Sequence, residues 1–121
     1  MKNRPFRERL GFALAGLRSA WRHEQSLRTQ GIVATLLLAA LVALGVSPVW
    51  WALAGALTAV VIAAELFNTA LEQLADRLHP EQHPDIQRAK DVGAAAVLVL
   101  SVAAVWVGLW LLVAWLQAPA N

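Results

Sequence analysis

Long stretches without a charged residue dominate the chain. One covers 36 residues, at 29–64, and another covers 30 residues, at 92–121. A helix that spans a membrane needs about 20 apolar residues, so the first stretch is too long for one straight span. Gly45 and Pro48 divide it, because glycine and proline together indicate a turn. The pattern therefore predicts three transmembrane helices, at 26–45, 49–75 and 91–116.

The N-terminal segment has a different pattern. Large apolar residues recur there every three or four positions, from Phe6 through Leu10 and Leu17 to Trp21, and arginines occupy the opposite side. This periodicity predicts an amphipathic helix over 4–25 that lies on the membrane surface. The expected fold class is all-α: an integral membrane protein with three transmembrane helices and one surface helix. At this length we expect a single domain, 1–121.

Composition supports a membrane protein and excludes several kinds of site. The chain is 59% hydrophobic and 15% charged, which is abnormal for a soluble domain of this size. It has no cysteine, which excludes disulfides, thiolate metal ligands and a cysteine nucleophile. The glycine-rich phosphate loops of common nucleotide-binding folds are also missing. Because the basic residues flank the spans, we expect them to attract anionic lipid rather than nucleic acid.

The distribution of charge predicts the orientation. All ten Lys and Arg residues precede the first span or lie between the second and third spans. Three spans place these two regions on the same side, and the positive-inside rule makes that side cytoplasmic. Between the second and third spans, Pro80 and Pro84 predict a turn-rich cytoplasmic loop over 77–90.

Acidic residues interrupt the second apolar segment near its cytoplasmic end. Helical spacing places Glu65, Asn68, Glu72 and Asp76 on one face. Ionisable groups within a membrane span are costly, and a functional site is the usual reason for them. Counting about 20 residues from the start of this span puts the face at the inner boundary of the hydrocarbon layer.

The spacing of these acids suggests different roles for them. Glu65 and Glu72 lie about 10 Å apart along the helix, too far to hold one ion side by side. Glu72 suits Mg²⁺, with Glu24 as a second carboxylate ligand. Glu65 lies deeper and could accept a proton from a lipid hydroxyl. Asn68 can orient an acid or a phosphate oxygen, and Lys90 carries the positive charge that phosphoryl transfer requires.

The run from Glu65 to Glu72, Glu-Leu-Phe-Asn-Thr-Ala-Leu-Glu, resembles the E-x-x-N-T-A-[IL]-E signature of the prokaryotic diacylglycerol kinase family, which includes undecaprenol kinases. Three further segments match the family in order, at 16–24, 75–77 and 88–97. The resemblance covers nearly the whole chain. It implies a homotrimeric helical bundle in the bacterial cytoplasmic membrane, with active sites shared between neighbouring subunits and with ATP and Mg²⁺ as co-reactants.

The resemblance also assigns residues to roles. It implies that Glu65 is the catalytic base, assisted by Asn68 and Lys90, and that Glu24 and Glu72 hold the metal. The residues implied to bind ATP are Phe12, Glu24, Glu72, Glu81, Gln82, His83, Lys90 and Asp91. The residues implied to line the lipid site are Arg18, Ser19, Ala20, Trp21, Ser26, Leu27, Arg28, Thr29, Gln30, Glu65 and Ala94.

This chain departs from the family pattern at four positions. A family Arg falls on Pro5, and a nucleotide-contacting Tyr falls on Phe12, which keeps the ring and loses the hydroxyl. A lipid-site Glu falls on Gln30, and a lipid-site Ser falls on Ala94. None of these changes removes a group essential to phosphoryl transfer.

Three classes of function can be weighed against these features. The first is an ATP-dependent kinase that converts diacylglycerol to phosphatidic acid, with an undecaprenol kinase of the same mechanism as the alternative. The second is a small ion or proton carrier, which would place acids at several depths, whereas every acid here lies at or near one boundary. The third is a structural subunit, which would have no use for the polar groups around Glu65 and Glu72.

Overall fold

The computed structural model describes residues 2–118, which contain four helices. Their bounds are Phe6–His23 for α1, Gln25–Leu44 for α2, Pro48–Leu78 for α3 and Pro84–Gln117 for α4. The all-α prediction is confirmed. Residues 1 and 119–121, the two ends of the predicted domain, lie outside the described part.

Three of these helices, α2, α3 and α4, are long and apolar enough to cross a membrane. α2 has 20 residues, about the number that a span requires. α3 and α4 have 31 and 34 residues. At 1.5 Å per residue these two helices are about 45 to 50 Å long, so both extend beyond a hydrocarbon layer of about 30 Å.

The turn between α2 and α3 lies where the sequence predicts it. Gly45 ends α2 in the left-handed conformation, with φ at 63°, which glycine adopts without steric cost. Its amide donates to the carbonyls of Leu41 and Val42 at 3.2 and 3.3 Å. Pro48 then begins α3, where its missing N–H has no helical partner to lose.

The prediction of a turn-rich loop over 77–90 was wrong in its bounds, because only residues 79–83 lie between the helices. α3 continues to Leu78, and α4 begins at Pro84 rather than at position 91. Proline is well tolerated in the first turn of a helix, so Pro84 starts α4 instead of interrupting a loop. The His83 ring accepts a hydrogen bond from the Asp85 amide at 3.1 Å, which satisfies one free donor of that first turn.

The packing of the helices leaves most apolar side chains on the outside. α3 packs most extensively against α4, α2 packs against α3, and α1 contacts α2. Leu41, Val61 and Leu111 are among the few buried side chains, whereas the rings of Trp106 and Trp110 are more than half exposed. An apolar surface of this extent is suited to contact with lipid hydrocarbon or with other subunits.

The junction between α1 and α2 is held by two contacts. The Arg28 guanidinium donates to the carbonyls of Trp21 and Arg22, both at 2.9 Å, and so satisfies the free end of α1. The Trp21 ring lies against Gly31, where an added Cβ would come within 2.7 Å of the ring. Glu24 lies between the two helices in an extended conformation. The junction therefore has a defined direction and places Glu24 at the start of α2.

Candidate active site

Glu65 is the buried acid of the candidate site. It lies in α3 and is only 9% exposed. The Ser26 hydroxyl, from the first turn of α2, donates to its Oε2 atom at 3.2 Å. Both residues were predicted site residues, and the structure brings them into contact. The hydrogen bond engages one carboxylate oxygen and helps to hold the side chain between the two helices.

Asn68, one turn along α3 from Glu65, contacts the second glutamate of the polar face. Its Nδ2 group donates to Glu72 Oε1 at 3.4 Å. Its Oδ1 atom is buried and has no hydrogen-bond partner within the described chain. A buried amide oxygen without a partner is unusual, and such atoms call for an explanation. Asn68 is therefore directed toward Glu72 by one end of its amide and toward α4 by the other.

Lys90 connects α4 to the same face of α3. Its ammonium group forms an ion pair with Asp76, and the Lys90 side chain is 26% exposed. Asp76 was predicted on the polar face but received no role there. The available signal was its position one turn beyond Glu72. The structure adds Asp76 to the candidate site as the partner of the lysine.

A polar hollow lies beside this ion pair, at the α3–α4 loop. It brings together four of the residues predicted to bind ATP, namely Glu81, Gln82, His83 and Lys90. His79, Gln87 and Asp76 also line it. Asp91 is exposed, and its carboxylate accepts a hydrogen bond from Gln87 at 2.9 Å. The hollow combines one lysine and two carboxylates, those of Asp76 and Glu81, with several neutral hydrogen-bonding groups.

Two other predicted ATP-binding residues lie elsewhere in the chain. Phe12 is on α1, and its exposed ring has the Arg4 guanidinium 5.9 Å from its centroid. Glu24 is half-buried at the N-cap of α2, and its side chain makes no capping hydrogen bond. Within residues 2–118, no three His, Cys, Asp or Glu side chains lie close enough together to hold one metal ion.

The predicted lipid-site residues lie mainly on both sides of the α1–α2 junction. Arg18, Ser19, Ala20 and Trp21 are on the last turns of α1, and 26–30 is on the first turns of α2. Ser19 and Ala20 line a groove against Leu66, Thr69 and Ala70 of α3.

Several of these predicted lipid-site residues have contacts inside the chain. Ala20 and Leu27 are buried, and Arg28 holds the end of α1. The Thr29 hydroxyl donates to the Gln25 carbonyl of its own helix. Gln30 lines a separate apolar groove between α2, α3 and α4, and Ala94 is exposed on α4. The structure thus brings only part of the predicted lipid set to one surface.

Comparison with known proteins identifies the family. The family model for prokaryotic diacylglycerol kinase matches residues 11–112. The chain belongs to this family. The matched segment contains every predicted site residue, from Phe12 to Ala94, and the predicted resemblance is confirmed.

Curated relatives support the same placement. The diacylglycerol kinase of Escherichia coli (strain K12) is 33% identical over 105 residues, which cover 87% of this chain and 84% of the relative. The diacylglycerol kinase of Haemophilus influenzae is 34% identical over 100 residues, or 81% and 85% of the two chains. That of Pseudomonas aeruginosa is 36% identical over 89 residues, or 74% and 72%.

The first prediction concerns the Lys90–Asp76 ion pair. Asp76→Ala should leave Lys90 without its α3 partner and lower kinase activity by roughly tenfold, mainly by raising the KM for ATP. The protein should still fold, because partly exposed ion pairs contribute little to stability. Steady-state kinetics at varied ATP concentration give the measurement.

Arg88→Ala is the matched control. It removes an ion pair with Asp85 within α4, at 3.4 Å, in which both side chains are largely exposed. Its kinetics should equal those of the unchanged protein. An Asp76→Ala variant with an unaltered KM for ATP would show that the ion pair does not position Lys90.

Proposed function

We propose that the chain is an ATP-dependent lipid kinase that converts diacylglycerol to phosphatidic acid at the inner face of the bacterial cytoplasmic membrane. The observation that carries the proposal is the buried Glu65 carboxylate, in an otherwise apolar segment of a chain that belongs to a diacylglycerol kinase family. The inner-face location rests on the clustering of basic residues on one side of the three spans.

Glu65 is proposed as the general base. Ser26 engages its Oε2 atom, which leaves Oε1 to accept the proton of the lipid hydroxyl. The lipid oxygen then bonds to the γ-phosphorus of ATP, the bond from that phosphorus to the β–γ bridging oxygen breaks, and ADP leaves. Burial of the carboxylate supports this role, because a base shielded from water is less available to promote hydrolysis of ATP.

Glu24 and Glu72 are proposed to hold Mg²⁺. The residues fit this ion, which takes one or two carboxylates and completes its shell with water and phosphate oxygens. Asn68 donates to only one oxygen of Glu72, and the Glu24 side chain is not engaged as a helix cap. Bound Mg²⁺ would neutralise charge on the nucleotide phosphates.

The polar hollow at the α3–α4 loop is proposed as part of the nucleotide site. Lys90 lies at its edge and would neutralise charge on the transferred phosphoryl group, while Glu81, Gln82 and His83 would contact the remainder of the nucleotide. Asp91 and Phe12 are proposed to complete this site. The residues around the α1–α2 junction would receive the lipid head group, next to Ser26 and Glu65.

A homotrimer with shared sites is proposed as the working assembly. The helices of one chain expose a large apolar surface. A second subunit would cover part of that surface and add walls around the nucleotide and the lipid.

Transfer of label to lipid tests the function. Purified protein with Mg²⁺ and γ-labelled ATP should phosphorylate diacylglycerol in mixed micelles. Glu65→Gln keeps the size of the side chain but removes the base, so kcat should fall on the order of 100-fold or more while nucleotide binding persists. Glu8→Gln, on the exposed surface of α1, serves as the control and should keep full activity.

Two results would count against this assignment. Near-normal turnover in Glu65→Gln would make Glu65 a structural acid. Label that appears on undecaprenol and not on diacylglycerol would assign the chain to the alternative acceptor. The ion-carrier alternative predicts label on neither lipid.

The metal assignment makes a separate prediction. Glu72→Gln and Glu24→Gln each replace a carboxylate with a neutral amide, so more Mg²⁺ should be needed for half-maximal activity, by about tenfold or more. A magnesium titration of each variant at saturating ATP measures this shift. Glu8→Gln, on the exposed surface of α1, should titrate normally. Unchanged titrations for both glutamate variants would place the metal elsewhere.

Subunit mixing tests the shared site. Glu65→Gln and Lys90→Ala are each expected to be inactive when assembled alone. If neighbouring subunits supply these two residues to one site, mixed oligomers will contain some complete sites, and activity should partly return after subunit exchange in detergent. No recovery, with exchange verified by two distinct labels, would mean that each site takes both residues from one chain.

A further inference from the structure

Gly93 lies where α4 closely approaches two side chains of α3. A Cβ atom added there would overlap Asn68 Oδ1 and lie 3.0 Å from a methyl carbon of Leu71. Real Cβ atoms do not approach other heavy atoms as closely as this one would approach Asn68. Any larger residue at 93 therefore requires Asn68 to move.

A second glycine on the same helix shows that this constraint is local. A Cβ atom at Gly108 would meet no heavy atom within 4 Å. Positions 94, 95 and 96, which follow Gly93, are all alanine. At position 93, unlike position 108, the structure supplies a steric reason for glycine, namely the Asn68 side chain opposite it.

The Asn68 amide is held by this close approach. Its Oδ1 atom faces Gly93 and is buried without a conventional hydrogen-bond partner, while its Nδ2 group donates to Glu72 at 3.4 Å. A Cα hydrogen of Gly93 takes the direction in which a Cβ would point, toward Oδ1. Moving the amide away from α4 would alter its bond to Glu72.

We propose that Gly93 is a positioning residue for phosphoryl transfer: its missing side chain lets Asn68 lie between α3 and α4 and hold the Glu72 carboxylate. This inference rests on the proposed function, in which Glu72 is a ligand of Mg²⁺. Gly93 touches neither substrate nor metal in this scheme and acts through Asn68.

Gly93→Ala should therefore lower kcat by on the order of 10- to 100-fold, because small displacements of catalytic groups have effects of this size. It should also raise the Mg²⁺ concentration needed for half-maximal activity. Gly108→Ala, the matched change on the same helix, should leave both values unaltered. Thermal unfolding in detergent checks that both variants are folded.

A double-mutant cycle separates positioning from a general disturbance of helix packing. In an Asn68→Ala background the Cβ at 93 no longer meets the amide, so Gly93→Ala should cause no further loss of kcat. In a Leu71→Ala background, where only the second contact is removed, Gly93→Ala should still cause its full loss. Independent losses with Asn68→Ala would overturn the proposal, as would kinetics for Gly93→Ala equal to those of the unchanged chain.

A binding measurement distinguishes failure of this inference from failure of the proposed function. Mn²⁺, a paramagnetic substitute for Mg²⁺, can be titrated by electron paramagnetic resonance in the presence of a non-hydrolysable ATP analogue. Gly93→Ala should weaken Mn²⁺ binding several-fold, and Gly108→Ala should not. If the unchanged chain is active and binds Mn²⁺ with the same affinity as Gly93→Ala and Gly108→Ala, the inference about Gly93 is overturned and the proposed function is not. A lack of lipid phosphorylation by the unchanged chain would overturn the proposed function, and the Mn²⁺ titration would still test Gly93.

Discussion

The exclusion of water from the hydrocarbon layer constrains this chain more than any other factor. Backbone amides and carbonyls in such a layer must be paired within the protein, and helices achieve this within one segment. The three long helices follow from that requirement, and their side chains remain apolar over most of their length. Polar chemistry is thereby confined to one end of the bundle, where α3 ends and α4 begins, and Lys90 and the polar hollow are found there.

The contact between α3 and α4 organises the groups at that end. Two links across it lie one helical turn apart on α4: the Lys90–Asp76 ion pair and the approach of Gly93 to Asn68. The first is electrostatic and partly exposed, so it contributes little to stability but holds the Lys90 ammonium group beside Asp76. The second is steric and buried, so it changes little when a ligand binds. Together they hold Asn68 and Lys90 on the side of the α3–α4 contact that faces Glu72 and the polar hollow.

The transmembrane spans were predictable because apolar stretches and turn residues are local features of the sequence. Contacts between helices depend on packing and were not predictable in this way. Gly45 and Pro48 locate the first turn through their own backbone preferences. Pro84 begins a helix, as Pro48 does, so the loop predicted over 77–90 is longer than the one observed. Helical spacing placed Glu65, Asn68 and Glu72 on one face correctly. The contact of Gly93 with Asn68 depends on the distance between two helices, which neither segment encodes alone.

In the proposed site, the general base and a metal ligand lie at different depths along α3. Glu65 is buried, and its carboxylate accepts a hydrogen bond from the Ser26 hydroxyl. Glu72 accepts a hydrogen bond from the Asn68 amide and lies nearer the polar hollow. A base for a lipid hydroxyl must lie where that hydroxyl lies, at the edge of the hydrocarbon, and a metal that binds nucleotide must remain reachable from water. Two turns of helix separate these environments. The γ-phosphoryl group would then be transferred between them, along the face on which Asn68 lies.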